Sequence, residues 1–129
     1  MALYTHDYSR DYQPSAPVVE VGLSQPESAA NEIQLTAFLD TGADATLIPI
    51  GALRQTSARY VETLFMHGVA NIRVPVDTYL VTVRIGPHTI HGIRAVAGGE
   101  NAEAIVGRDV LNQLIVTLNG LAGVTQVSE

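Results

Sequence analysis

Phe38-Leu39-Asp40-Thr41-Gly42-Ala43-Asp44-Ala45-Thr46-Leu47-Ile48-Pro49 is the stretch on which the reading of this chain turns. Before it, Ile33-Gln34-Leu35-Thr36-Ala37 alternates, and at Phe38-Leu39 the chain becomes continuously apolar, as a strand entering a core does. Asp40 to Asp44 is a turn sequence, and Ala45 to Pro49 is a second short strand. A carboxylate set at the end of a buried strand is costly unless its surroundings use it. The plain alternative is an Asp-Gly turn in which Asp40 caps backbone amides, but such turns suit the surface rather than a place between Phe38-Leu39 and Leu47-Ile48. Asp40-Thr41-Gly42 alone is weak, since chance supplies the triplet in on the order of one chain in a hundred. Its apolar flanks are what distinguish it.

Outward from this stretch, the pattern is of short strands at turn spacing. Val18 to Leu23 is β-like, and Ser24 to Asn31, with Pro26, reads as a turn or loop. Val61 to Leu64 and Ile72 to Ile85 look extended, with His67-Gly68-Val69-Ala70-Asn71 as a hairpin tip in which Gly and Asn can take positive φ. Ile50 to Ser57 suits a helical turn or loop. Gly86-Pro87-His88 is a turn before a strand over Thr89 to Val96. Ala97 to Glu103 is a polar, Gly-rich loop, and Ala104-Ile105-Val106 is a short buried strand. Gly107 then opens Arg108 to Leu114, the one convincing helix, with 110, 111 and 114 on a common face. Ile115 to Leu118 is a terminal strand. Many short strands with one short helix predict a mainly β, closed or sandwich-like fold.

Residues 1–17 read as a flexible N-terminal tail: Tyr4, Tyr8 and Tyr12 sit among polar residues, and Pro14 and Pro17 close the segment. Such polar termini are commonly disordered. The expected domain is 18–119, and 120–129 is a C-terminal extension.

The chain has 129 residues, which suits one domain. Hydrophobic residues make up 47% and charged residues 16%, enough apolar material for a real core. The net charge is -6, and all seven basic residues are scattered arginines, so no basic stripe exists to track a phosphate backbone. There is no cysteine, which excludes disulfides, thiolate metal sites and a cysteine nucleophile. No stretch approaches 18 uninterrupted apolar residues, and Met1 to Arg10 lacks a signal-peptide pattern, so a soluble cytoplasmic protein without membrane contact is expected. His88 and His91 lack an acidic third ligand at suitable spacing, so no metal or other cofactor is expected. Asp109 suits bracing of the helix rather than catalysis, and no nucleophile-elbow sequence supports Ser-His-Asp chemistry.

Two separated motifs resemble the single-domain retroviral-type aspartic proteases, the retropepsins, and their cellular and bacterial relatives. Phe38 to Asp44 looks like their active-site loop, and Ala104-Ile105-Val106-Gly107-Arg108-Asp109-Val110-Leu111 like their second signature. Asp40 and Gly107 lie 67 positions apart, about as in that family. Gln113-Leu114 and Thr117-Leu118-Asn119 continue the likeness. The resemblance implies a closed retropepsin-like β-barrel or sandwich with one short C-terminal helix and a flap hairpin. The tip from His67 onward falls where the family carries that flap, although Gly68 is its single glycine.

The resemblance also implies a reaction. Peptide hydrolysis by carboxylates needs two of them around one water, one acting as base and the other as acid. This sequence supplies only one Asp-Thr-Gly, so a homodimer is implied, with both copies of Asp40 on the two-fold axis. Thr41 would bond across that axis, and Gly42 would let the backbone approach the carboxylates. Ala43, lacking a hydroxyl to donate to the pair, implies a pH optimum nearer neutral. Asp44 and Arg108 look like the family's structural ion pair, and Asp44 would also touch substrate backbone. Phe38 and Ile105 would line the pocket beside the cut bond of a peptide or protein substrate, and His67, Gly68, Val69 and Ala70 would close over it. The alternative in another class is a catalytically weak retropepsin-like module that dimerises and binds extended peptides.

Overall fold

The computed structural model describes residues 2–129, apart from the side chain of Val69. The elements in chain order are β1 (Tyr4–Asp7), β2 (Val18–Gln25), β3 (Ser28–Leu39), β4 (Leu47–Pro49), α1 (Ile50–Gln55), β5 (Arg59–His67), β6 (Arg73–Ile85), β7 (His88–Gly98), β8 (Ala104–Val106), α2 (Arg108–Leu111), β9 (Ile115–Asn119) and β10 (Val124–Ser128). A single 3₁₀ turn, Val69–Asn71, joins β5 to β6.

Seven strands form one sheet in the order β2-β3-β8-β4-β7-β6-β5, and β2 also pairs with β6. That extra pairing closes six strands into a ring and leaves β5 outside it as one arm of a long hairpin. The closed β architecture matches the expectation from strand spacing. Alternation fills the ring: Val19, Val21 and Leu23 of β2 and Val81, Val83 and Ile85 of β6 are buried, together with Ile48, Val106 and Val110. The long β6 reaches beyond the ring with β5, where Leu64, Phe65, Met66, Ile72 and Val74 remain exposed.

The placement of β8 sets the geometry around Asp40. β8 lies between β3 and β4, parallel to β3 (Phe38 opposite Ile105, Leu39 opposite Val106) and antiparallel to β4 (Leu47 opposite Ile105). The loop from Asp40 to Thr46 must therefore cross the exit of β8, where Gly107 sits.

Four local expectations are corrected. The N-terminal tail is in fact structured: Met1 lies outside the described residues, but residues 4–7 form β1, antiparallel to β10. Tyr4 packs against the core, and its hydroxyl accepts the Glu20 N–H at 3.1 Å. Four alternating residues are too few to announce a strand, and the partner is over a hundred positions away. The C-terminal extension is likewise a strand, because β10 completes a second sheet ordered β1-β10-β9 and buries Val127 fully. The helical turn read within Ile50 to Ser57 is a helix at 50–55, held by Leu53 at 1% exposure, so the C-terminal helix is not the only one, and that helix stops at Leu111 rather than Leu114. At the hairpin tip the left-handed residues are Ala70 and Asn71, whereas Gly68 is extended with φ -96°. The tip is a wider turn than a two-residue hairpin, closed by Gly68 N–H donating to the Ile72 carbonyl at 2.8 Å.

Candidate active site

Asp40 leaves β3 with its own N–H donated to the Val106 carbonyl at 3.0 Å, so the end of β3 is tied to the end of β8. One carboxylate oxygen of Asp40 accepts the Gly42 N–H at 2.8 Å. A Cβ on Gly42 would stand 3.1 Å from that oxygen. Gly42 is not among the positive-φ glycines, so what it provides is close approach rather than an unusual turn conformation. In the single chain Asp40 is half-buried, and Thr41 and Gly42 are exposed. The loop presents one carboxylate at an open surface.

The loop is held from below by a buried network. Thr46, 1% exposed, donates its hydroxyl to Asp109 at 2.8 Å and its N–H to the other Asp109 oxygen at 3.0 Å. The Gly107 N–H donates to the Thr46 hydroxyl oxygen at 3.1 Å. Asp109 thus braces the loop against α2, as its position at the helix start suggests. Thr46 is a site residue that sequence reasoning misses; the available signal is a lone hydroxyl within an apolar strand, which needs a partner when buried.

Arg108 closes the network from outside. Its guanidinium donates to the Thr41 carbonyl at 2.8 Å and to the Asp44 carboxylate, and its N–H donates to the Ala43 carbonyl at 2.9 Å. Asp44 is largely exposed and Arg108 partly so, which makes this pair a modest contributor to stability and a geometric clamp on the loop. The arrangement brings Asp40, Thr41, Gly42, Ala43, Asp44 and Arg108 into one constellation.

The remaining candidates divide. Ile105 lines a cavity of about 230 Å³ with Gly42, Ala43, Asp44, Leu47 and Met66. Met66 therefore faces the loop from the hairpin arm, whereas the sequence points to the tip for that role. His67, Gly68 and Ala70 are exposed at the tip, and the side chain of Val69 lies outside the described residues. Phe38 stands beside Ile105 in register but faces a different cavity, where Tyr12 packs edge-on against it with ring centroids 4.7 Å apart. Neither Phe38 nor Ile105 belongs to the core cluster.

Among the described residues, no group of three or more His, Asp or Glu side chains could hold a metal ion, and no helix is long and apolar enough to cross a membrane. His88 is buried, within 2.9 Å of a Glu129 oxygen and 3.3 Å of the Val127 carbonyl, so it anchors β10.

The same architecture occurs in solved structures. The EIAV protease complexed with the inhibitor HBY-793 superimposes with a TM-score of 0.60 at 22% identity, covering 84% of this chain and 93% of that one. A retropepsin-like aspartic protease from Rickettsia conorii gives 0.64 at 13% identity, covering 98% and 90%. At these identities the likeness establishes the fold. No curated protein matches the chain by sequence. Residues 27–113 match the family described as "gag-polyprotein putative aspartyl protease", a span that holds both the Asp40 loop and the Arg108 clamp. By fold and by sequence, then, this chain belongs to the gag-polyprotein aspartyl protease family of retropepsin-like enzymes.

Proposed function

We propose that the chain is an endopeptidase that cuts peptide bonds as a homodimer, with two copies of Asp40 activating one water. The observation that carries this reading is the half-site itself: a rigidly clamped loop offers a single, half-buried carboxylate at an open surface. A two-fold axis beside Thr41 sets the second carboxylate next to the first and lets the two Thr41 side chains brace each other. One carboxylate takes a proton from the water, whose oxygen attacks the peptide carbonyl carbon. The partner carboxylic acid donates its proton to the carbonyl oxygen. As the tetrahedral species collapses and its C–N bond breaks, the first Asp40, now protonated, gives its proton to the leaving nitrogen, and the partner carboxylate takes one from a hydroxyl of the diol.

The second sheet supports a dimer. β9 is its edge strand, and Ile115 and Leu118 are 56% and 50% exposed there. An unpaired apolar edge is a template for another strand. Antiparallel pairing of two β9 strands across the axis makes a six-stranded sheet and leaves neither β9 edge unpaired. The exposed apolar hairpin of β5 and β6, with Met66 toward the loop, would fold over an extended peptide and exclude water. Asp44 and the 230 Å³ cavity would hold its backbone and a flanking apolar side chain.

The test is cleavage of a mixed peptide library by wild type and by Asp40→Asn between about pH 4 and 7, with sedimentation velocity on both. Asp40-dependent products from a dimer are expected. Equal product from both proteins sinks the protease reading. Peptide binding by wild type without any cleavage favours the alternative of a peptide-binding module. A monomer that cleaves sinks the shared pair.

A further inference from the structure

The N-terminal segment, which lies outside both site motifs, packs through Tyr12 on Phe38, the first residue of one motif, and on Glu103, just before the other. Phe38 is the second-last residue of β3 and lies two positions before Asp40, whose N–H is still tied to the end of β8. Phe38 is outside the core cluster, while its neighbour Ala37 is buried within it. The Tyr12 ring meets Phe38 edge-on at 4.7 Å, against the residue two positions before Asp40. Its hydroxyl donates to a Glu103 carboxylate oxygen at 2.9 Å, a bond that raises the tyrosine pKa above its ordinary value. Glu103 immediately precedes β8, whose Ile105 lies beside Phe38. Tyr12, Phe38 and Glu103 line a cavity of about 470 Å³ with Leu35, Pro49 and Ala104.

We propose that Tyr12 is a specificity-determining residue: its ring is the outer wall of the subsite that receives the side chain next to the cut bond. The Tyr12–Glu103 hydrogen bond holds the wall upright, and the Glu103 carboxylate at the rim disfavours an acidic substrate side chain. The subsite so formed takes an apolar side chain of moderate size packed on the Phe38 ring. Removing the Tyr12 ring opens this wall and admits a larger one. This inference rests on the peptidase reading above.

The test starts from sequences that wild type cuts in the mixed library. Two peptides are then made that differ only in Leu or Trp beside the cut, and a second pair that differs in Gln or Glu. Tyr12→Ala is expected to raise the Trp-to-Leu ratio of kcat/KM roughly tenfold, the scale at which pocket size discriminates. Tyr12→Phe keeps the ring but loses its bond to Glu103, and is expected to raise that ratio by about two- to threefold, between wild type and Tyr12→Ala. Glu103→Gln is expected to raise the Glu-to-Gln ratio by about threefold or more, by removing a like charge. A merely structural role for Tyr12 lowers all peptides together and moves no ratio. Unchanged ratios in Tyr12→Ala and Glu103→Gln, with wild type active, overturn the proposal and leave the peptidase reading standing. Absence of any Asp40-dependent cleavage by wild type overturns both. Thermal melts verify folding, and if Tyr12→Ala fails to fold, the Glu103→Gln ratio and a Tyr12→Leu variant decide the matter.

Discussion

Replacing Gly107 by alanine tests the crossing of the Asp40 loop over β8. An ideal Cβ there would stand 2.6 Å from the Ala45 carbonyl carbon, 2.7 Å from its oxygen and 3.0 Å from the Ala43 oxygen. All three are backbone atoms, so no side-chain rotation relieves the clash, and the loop itself must move. Gly107 has φ -93° and ψ -174°, which any residue adopts, so the effect is steric alone. Overpacking of this kind costs about 1–3 kcal/mol, and rigid neighbours place Gly107→Ala near the upper end. In a chain of this size that lowers Tm by about 10 °C. The displaced segment, Ala43 to Thr46, follows directly on Asp40 to Gly42 and carries the Thr46–Asp109 bonds, so peptide cleavage should fall more steeply than stability. Gly51→Ala is the control: nothing lies within 4 Å of its Cβ, and a helical alanine gains about 0.5–1 kcal/mol over glycine. Both variants are melted by calorimetry at one fixed protein concentration, because the proposed dimer would make Tm concentration-dependent. A Gly107→Ala protein that melts within about 2 °C of wild type and cleaves as well would refute the reasoning.

Thr46→Val removes a buried hydroxyl that serves both Asp109 and the Gly107 N–H, and should cost about 1–3 kcal/mol by chemical denaturation. A loss under about 0.5 kcal/mol would show that water or a shifted Asp109 replaces it. Leu118→Asp places a charge on the edge strand β9, and sedimentation velocity at micromolar concentration should show monomers with specific activity lost on dilution. An unaltered dimer would move the interface elsewhere. Glu32 accepts two hydrogen bonds from Arg84, which hold its pKa below the ordinary glutamate value. A lowered carboxylate pKa stabilises the fold above the unfolded value and loses that contribution as pH falls through the folded one. Glu32→Gln should therefore lower Tm at neutral pH and converge with wild type in acid, and parallel melting curves across pH would contradict this.

Local chemistry makes part of this molecule legible in its sequence. Alternation along Val81-Thr82-Val83 and the apolar run at Phe38-Leu39 announce strands, and the break at Asp40 to Asp44 announces a turn, because side-chain period and turn residues act within a few positions. The pairing of Asp44 with Arg108 could be expected only through a family likeness, since nothing local to either residue records the other. Three features depended wholly on tertiary structure. β8 inserts between β3 and β4, which puts Gly107 beneath the Asp40 loop and makes Thr46 part of the site. β1 and β10 find each other across the length of the chain, turning an apparent tail and extension into one sheet. Met66 comes to the Asp40 loop, and Tyr12 to Phe38, from segments whose own sequences give no sign of it. Where the chain alternates, turns and carries a carboxylate follows from short stretches of residues; what that carboxylate meets follows from the closing of the barrel, because strand order and long-range contact are set by global packing.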